Sequence, residues 1–413
     1  MSLTVNMIGL GYIGLPTAAI LASHGIKVIG VDRNQDVVNI INQGEIHIVE
    51  PGLEEIVKLV VSEGELRATF QPEPADAFLI AVPTPFKQNH EPDISYIEAA
   101  IQSIAPVLQQ GNCIILESTS PVGTTEKILE QLAQLRPDLK LPDGDSMQVG
   151  DISLAYCPER VLPGNIIHEL IENDRVIGGI TPHCSEQAAK VYKHFVRGAL
   201  LLTNARTAEL CKLTENAYRD VNIAFANELS LICDQLNINV WELIRLSNHH
   251  PRVNILQPGP GVGGHCIAVD PWFIVHSSPE QARLIRQARH INDSKPAYVV
   301  SQVLTAIQNI ANPSIACLGL TFKPDIDDLR ESPAMQIVEM LAKQGTSKLL
   351  VTEPHIETLP QHLLDINVEI LPATEAIAQA DVVLLLVNHT AFEGYVELTK
   401  NKIVIDTRGI WSL

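Results

Sequence analysis

The run Leu3–Leu10 alternates and then turns wholly apolar, the pattern of a strand buried on both faces in a parallel sheet. Gly9-Leu10-Gly11-Tyr12-Ile13-Gly14 follows at once, then the helix-like run Pro16 to His24, then a second strand, Lys27–Val31, ending at Asp32. An apolar strand running into a polar turn recurs three times. Ala77–Val82 meets Pro83-Thr84-Pro85, Cys113–Leu116 meets Glu117-Ser118-Thr119-Ser120-Pro121, and Ile152–Tyr156 meets Cys157-Pro158-Glu159-Arg160. Leu135 to Val149 is rich in Pro, Asp and Gly and reads as a solvated loop. From Thr207 to Leu236 the period becomes helical, with neither Gly nor Pro, which is long for a globular helix and predicts a spine between domains or a dimer contact. A second set of strands begins near Ile315: Ile315–Leu320, Lys348–Val351, Val382–Val387 and Ile403–Ile405, with Ser332-Pro333 opening a helix.

These elements predict an α/β chain: two Rossmann-like doubly wound domains joined by a long central helix. The chemistry of the first turn is specific. Its first glycine makes the bend, the second lets a pyrophosphate approach, and the third lets helix pack on strand. The phosphates then rest on helix N-terminal amides. Asp32 lies 18 residues past Gly14, where a carboxylate accepts hydrogen bonds from a ribose diol and repels a 2′-phosphate. NAD is the expected cofactor, with Gly9, Gly11, Tyr12, Ile13, Gly14 and Asp32 holding it; Arg33 keeps NADP open as an alternative. Ligands of an open α/β sheet gather at the carboxyl ends of its strands, so the three polar turns, with Thr84, Thr119, Glu159 and Arg160, are candidate site walls. No glycine fingerprint follows Leu320, so the second unit is expected to bind something other than a full dinucleotide.

Composition narrows the partners. A net charge of −19 argues against nucleic acid or an anionic membrane as partner, and leaves an anionic substrate dependent on a local cluster of Arg and Lys. Seven cysteines, none in a CxxC pair, give neither a zinc pattern nor a disulfide framework. No basic segment precedes an apolar stretch, and no apolar run is long enough to span a bilayer, so a cytoplasmic protein is expected. His249-His250 invites a metal reading, but no further ligand follows at suitable spacing, and no metal is expected.

The remaining chemistry centres on Gly261-Val262-Gly263-Gly264-His265-Cys266-Ile267-Ala268-Val269-Asp270, a lone cysteine closing a glycine-rich loop stiffened by Pro258 and Pro260. By itself this reads as a tight turn ending in a buried cysteine. A second feature stands beside it. Lys212, Asn216 and Arg219 are spaced i, i+4, i+7 on the long helix and share one face. A charged face is ordinarily solvated, but the flanking Leu210, Cys211, Leu213, Ala217 and Tyr218 are compatible with partial burial, where a lysine gains acid–base capacity.

Together, Gly9–Gly14, Cys157-Pro158-Glu159, Lys212–Asn216, Gly261–Asp270, Phe322-Lys323 and Arg330-Glu331-Ser332 resemble the UDP-glucose/GDP-mannose dehydrogenase family over nearly the whole chain. Gly44–Glu50, Cys157–Pro163, Cys211–Glu228 and Asn248–Val275 are most similar to its branch acting on UDP-N-acetyl-D-mannosamine. The resemblance implies an NAD-binding domain at 1–200, a central helical dimerisation region with the Lys and Cys loop at 201–300, and a UDP-sugar-binding domain at 301–413. It implies a homodimer that oxidises a sugar C6 alcohol to a carboxylate in two steps, for a cell-surface polysaccharide such as the enterobacterial common antigen. Cys266 would attack the intermediate aldehyde. Lys212 would stabilise the oxyanion or accept the alcohol proton, and Asn216 would donate a second hydrogen bond. Asp270 would orient Lys212 or a water, Glu159 would act as base for thioester hydrolysis, and Thr119 would place that water. Arg160, Val161, Lys212, Asn216, Arg219, His250, Arg252, Gly263, Lys323 and Arg408 are the substrate contacts so implied, with the partner subunit often supplying the arginine corresponding to Arg252.

Rival readings stay open on the residues alone. A two-electron hydroxyacid-type dehydrogenase shares the dinucleotide fold and a Lys-x-x-x-Asn pair but needs no cysteine, and a nucleotide-sugar sensor needs no turnover. The choice among UDP-N-acetylmannosamine, UDP-N-acetylglucosamine and UDP-glucose rests on resemblance alone.

Overall fold

The computed structural model of the protein describes residues 3–87, 90–144, 149–162, 164–264, 266–345, 347–356, 358–365 and 368–411. It divides into two compact units, Met1–Thr214 and Glu215–Leu413.

The first unit is built on strands β1 (Thr4–Ile8), β2 (Lys27–Val31), β3 (Leu66–Thr69), β4 (Ala77–Ile80), β5 (Cys113–Leu116), β6 (Ser153–Tyr156), β7 (Arg175–Gly179) and β8 (Leu200–Asn204). They lie in the order β3-β2-β1-β4-β5-β6-β7-β8, parallel except for the antiparallel pair β6–β7. Alternation along each strand feeds two cores. Val5, Met7, Ala77, Leu79 and Ile115 face one layer, and Ile8, Phe78, Ile80, Ile114 and Leu116 face the other. Both faces are covered, which is why these strands read as continuous apolar runs. Ile8 pairs with Val31 and Ile80, Ile80 with Leu116, and Leu116 with Tyr156, so the carboxyl ends of β2, β1, β4, β5 and β6 are level along one edge.

The helix Ala205–Leu236 begins in the first unit and continues into the second. The second unit holds five parallel strands, β9 (Ser314–Leu318), β10 (Lys348–Thr352), β11 (Val368–Ile370), β12 (Val382–Leu385) and β13 (Ile403–Asp406), in the order β11-β10-β9-β12-β13. Ile315, Cys317, Val382 and Leu384 face one core, and Ala316, Leu318, Val383 and Leu385 the other. Ser332 caps the helix Pro333–Gln344 by accepting the Met335 amide.

The predicted class is the observed one: two doubly wound parallel sheets and a long central helix. Strands β3, β7, β8 and β11 carry no clear sequence signal: β3 and β11 are short, β8 is half exposed, and β7 ends in two glycines. Of the predicted loop 135–149, residues 145–148 lie outside the described residues, as do Pro163 and His265 of the quoted motifs. No helix of the described residues is long and apolar enough to cross a membrane.

Candidate active site

The turn after β1 has the shape the fingerprint requires. A Cβ on Gly14 would stand 1.8 Å from the Gly9 carbonyl oxygen, so the helix Gly14–Ser23 can start here only from glycine. At Gly11 a Cβ would meet nothing within 4 Å, and a pyrophosphate approaching the backbone needs such open space. Tyr12 and Ile13 complete the bend, with Tyr12 exposed. Asp32, half-buried past β2, accepts the Leu10 amide on Oδ2 at 3.0 Å and the Asn34 amide on Oδ1 at 2.9 Å. The carboxylate is thereby fixed at the carboxyl ends of β1 and β2. These residues fit a dinucleotide.

Along the same edge, Thr84 follows β4 and Thr119 follows β5, both half-buried. Glu159, Arg160 and Val161 follow β6. Glu159 is 8% exposed, and its Oε1 accepts the Arg160 amide at 2.6 Å. Its Oε2 stands 2.9 Å from Nη1 of the buried Arg175, close enough for an ion pair but outside hydrogen-bond alignment. The carboxylate is thus already matched to a cation. Arg175 comes from β7, which the sequence reading missed, and its guanidinium also stacks over Tyr192 at 5.1 Å. Tyr192 donates to Glu117 Oε1 at 2.6 Å, and burial pushes Glu117 up to about 7 against the pull of Arg175. Arg160 reaches back to the Asp174 carbonyl at 3.2 Å.

Lys212 is half-buried on the long helix, in the first unit. Its flanks divide as helical geometry dictates: Leu213 and Ala217 are buried, and Leu210 and Tyr218 exposed. In the second unit, Asn216 is buried and donates to Asp270 Oδ2 at 2.5 Å. The structure therefore joins Asn216 to Asp270, a pairing the sequence reading did not foresee. Arg219, His250 and Arg252 are exposed.

Cys266 is half-buried at the head of a turn in which its carbonyl accepts the amides of Val269, at 3.0 Å, and Asp270, at 2.8 Å. The glycines before it are pressed against neighbours. A Cβ on Gly263 would stand 2.5 Å from the Glu331 carbonyl oxygen, and one on Gly264 would stand 2.8 Å from the Phe322 ring. The cysteine loop thus packs on the turn that carries Lys323. Arg408 closes the other side: its Nη1 lies 2.5 Å from where a Gly259 Cβ would be, and its Nε donates to Asn388 Oδ1 at 2.9 Å.

Among the described residues, Asp325, His355 and His389 bring metal-ligand atoms within 4.8 Å of one another. His389 Nδ1 accepts the Asp325 amide at 2.9 Å, which leaves the proton on Nε2, facing Glu353 Oε2 at 3.2 Å. The ring is committed to fixing the loop behind Lys323.

Comparison with known proteins agrees with this geometry. Three domain models of the UDP-glucose/GDP-mannose dehydrogenase family match in order: the NAD binding domain over residues 3–196, the central domain over 206–294 and the UDP binding domain over 316–413. An NDP-N-acetyl-D-galactosaminuronic acid dehydrogenase of Ralstonia nicotianae is 60% identical over 99% of this chain and 96% of its own. A UDP-N-acetyl-D-mannosamine dehydrogenase of Campylobacter jejuni is 60% identical over 97% of this chain and 98% of its own. The solved UDP-N-acetyl-mannosamine dehydrogenase of S. aureus superposes with a TM-score of 0.86 at 44% identity, covering 98% of this chain and 95% of that one. The chain belongs to the UDP-glucose/GDP-mannose dehydrogenase family, and is an NAD-dependent oxidoreductase of nucleotide sugars.

Proposed function

We propose that the protein oxidises UDP-N-acetyl-D-mannosamine at C6 to the uronate, in two steps, through a covalent adduct on Cys266. The observation that carries this is the cysteine loop itself. It holds a half-buried thiol in a fixed turn, tied through Asp270 to Asn216, one helical turn from Lys212. A two-electron dehydrogenase has no use for such a thiol.

NAD, when bound, accepts a hydride in each of the two oxidations. Lys212 takes the alcohol proton or stabilises the oxyanion, and the free N–H of the Asn216 amide supplies a second donor. Asp270 holds that amide in position. The Cys266 sulfur adds to the C6 aldehyde and its proton passes to the carbonyl oxygen, giving a thiohemiacetal; loss of the second hydride, with the hydroxyl proton passing to the Lys212 amine, gives a thioester, and water releases the acid and restores the thiol. Glu159, paired with Arg175, serves as base for the hydrolytic water that Thr119 places. Tyr12, Ile13, Thr84 and Thr119 would line the cofactor. Arg160, Val161, Arg219, His250, Arg252, Gly263, Lys323 and Arg408 serve the UDP-sugar.

The sugar is chosen on the mannosamine dehydrogenases among the relatives. The Ralstonia relative, equally similar, favours a second reading, an N-acetylgalactosamine nucleotide. Purified protein with NAD and each UDP-sugar in turn decides between them: UDP-N-acetylmannosamine is expected to give the highest kcat/KM, and a preference for UDP-N-acetylgalactosamine would replace it. Cys266→Ser is expected to stall at the aldehyde level, and full uronate production by that variant would remove the covalent step.

Tyr218, Phe225, Ile232 and Leu236 are exposed at i, i+7, i+14, i+18 on the long helix and support a homodimer through it. A cytoplasmic setting and a role in cell-surface polysaccharide synthesis complete the proposal.

A further inference from the structure

Two polar stripes face each other inside the second unit. On the long helix Ala205–Leu236 they are Asp220, Asn227 and Ser230, and on the helix Arg283–Ile307 they are Arg289, Asn292 and Lys295. All six are buried, Asp220 and Asn227 completely. Arg289 Nη1 donates to Asp220 Oδ1 at 2.6 Å, and Asn292 Nδ2 donates to the same oxygen at 2.8 Å. Asn227 Nδ2 then donates to Asn292 Oδ1 at 2.8 Å, and the Gly259 amide donates to Asn227 Oδ1 at 2.8 Å. Lys295 caps the row through Ser230 Oγ at 2.8 Å, and that hydroxyl donates to the Asn227 carbonyl at 2.6 Å.

The direction of this relay is forced. The Asp220 carboxylate accepts and cannot donate, so Asn292 must turn its NH2 toward it and its oxygen toward Asn227. Asn227 must then turn its NH2 to Asn292 and its oxygen to Gly259. A flipped Asn227 would set its NH2 against the Gly259 N–H, two donors facing each other in a dry interior.

Gly259 stands seven residues before Cys266, and Asp270 stands four after it. Asn227 holds the first and Asn216 the second. The two asparagines sit 11 residues apart on one helix, about 16 Å along its axis. We propose that Asn227 is a positioning residue for the catalytic thiol: the long helix clamps the cysteine loop at both ends, and the Asp220–Asn292–Asn227 relay fixes the upstream end. The proposal rests on the reading of Cys266 as the nucleophile of the second oxidation. Displacement of a reacting group by about 1 Å can cost a factor of about 100.

The test compares Asn227→Ala, which removes the tether, with Asn227→Asp, which keeps an acceptor for the Gly259 amide and replaces the bond to Asn292 with two facing acceptors. Two readouts are taken on the full chain: the ratio of aldehyde to uronate released from UDP-N-acetylmannosamine, and amide exchange across residues 256–264. Asn227→Ala is expected to raise the aldehyde share at least 10-fold and to exchange at least 10-fold faster at Gly259. Asn227→Asp is expected to melt lower yet keep both readouts within about 3-fold of wild type. Should the alanine variant not accumulate, Asn227→Ser, whose hydroxyl falls short of Gly259, takes its place with the same expectation. An unchanged aldehyde ratio in the tether-less variant, with melting alone affected, would make Asn227 a structural residue and overturn the proposal. A wild-type protein that makes no NADH from any UDP-sugar overturns the reading beneath it, while the exchange result still decides whether the tether exists.

Discussion

Glu117 shows how one side chain ties the first sheet to pH. It ends β5 wholly buried, with Tyr192 on Oε1 and no hydrogen-bond partner for Oε2 among the described residues. Burial raises its pKa from 4.5 to about 7. The folded protein therefore keeps a proton that the unfolded chain gives up between those values, so this group's contribution to stability is full below pH 4.5 and is lost as pH rises to about 7. Glu117→Gln should remove that slope: its melting temperature relative to wild type rises between pH 5 and 8, and a parallel pair of curves would contradict this. Arg175 lies between two carboxylates, Glu117 and Glu159. Arg175→Met leaves the Glu159 carboxylate uncompensated and is expected to cost about 3–5 kcal/mol in a denaturant titration. The pairing of these three side chains was not legible in advance. The base role of Glu159 is what the family resemblance implies, while the partner that engages its carboxylate sits on β7, a strand the sequence did not reveal.

At the scale of elements, what could be read was what lies close along the chain. The β1 turn, its glycines and Asp32 are set by fixed offsets, and the structure places them level at the strand ends. Ser332 as a cap was equally local. The helix Arg283–Ile307 shows the limit: Arg289, Asn292 and Lys295 at i, i+3, i+6 look like a solvated face, yet all three are at most 5% exposed, because a second polar stripe 60 to 70 residues earlier meets them. No local period reports a partner that far off. The loop that these helices hold is equally constrained by its own glycines. Gly264 has φ +83° and abuts the Phe322 ring, so Gly264→Ala is expected to cost about 1–3 kcal/mol and to lower turnover of the aldehyde more than binding of NAD. Comparing single-turnover oxidation with NAD titration would reveal the split.

For the whole molecule, the fold class followed from the alternation of apolar strands with helices, and the long helix belongs to both compact units. A chain carrying −19 charges still presents a row of apolar side chains on that helix, and charge repulsion between copies would have to be outweighed by its burial. Phe225→Asp is expected to convert the proposed dimer into a 45.2 kDa monomer in sedimentation, while a variant that sediments with the wild-type mass would contradict a dimer through this helix. The central claim concerns electrons. A limiting, weighed amount of UDP-N-acetylmannosamine taken to completion with excess NAD should yield two NADH per sugar and the uronate as product; one NADH per sugar, with the aldehyde left in solution, would contradict it.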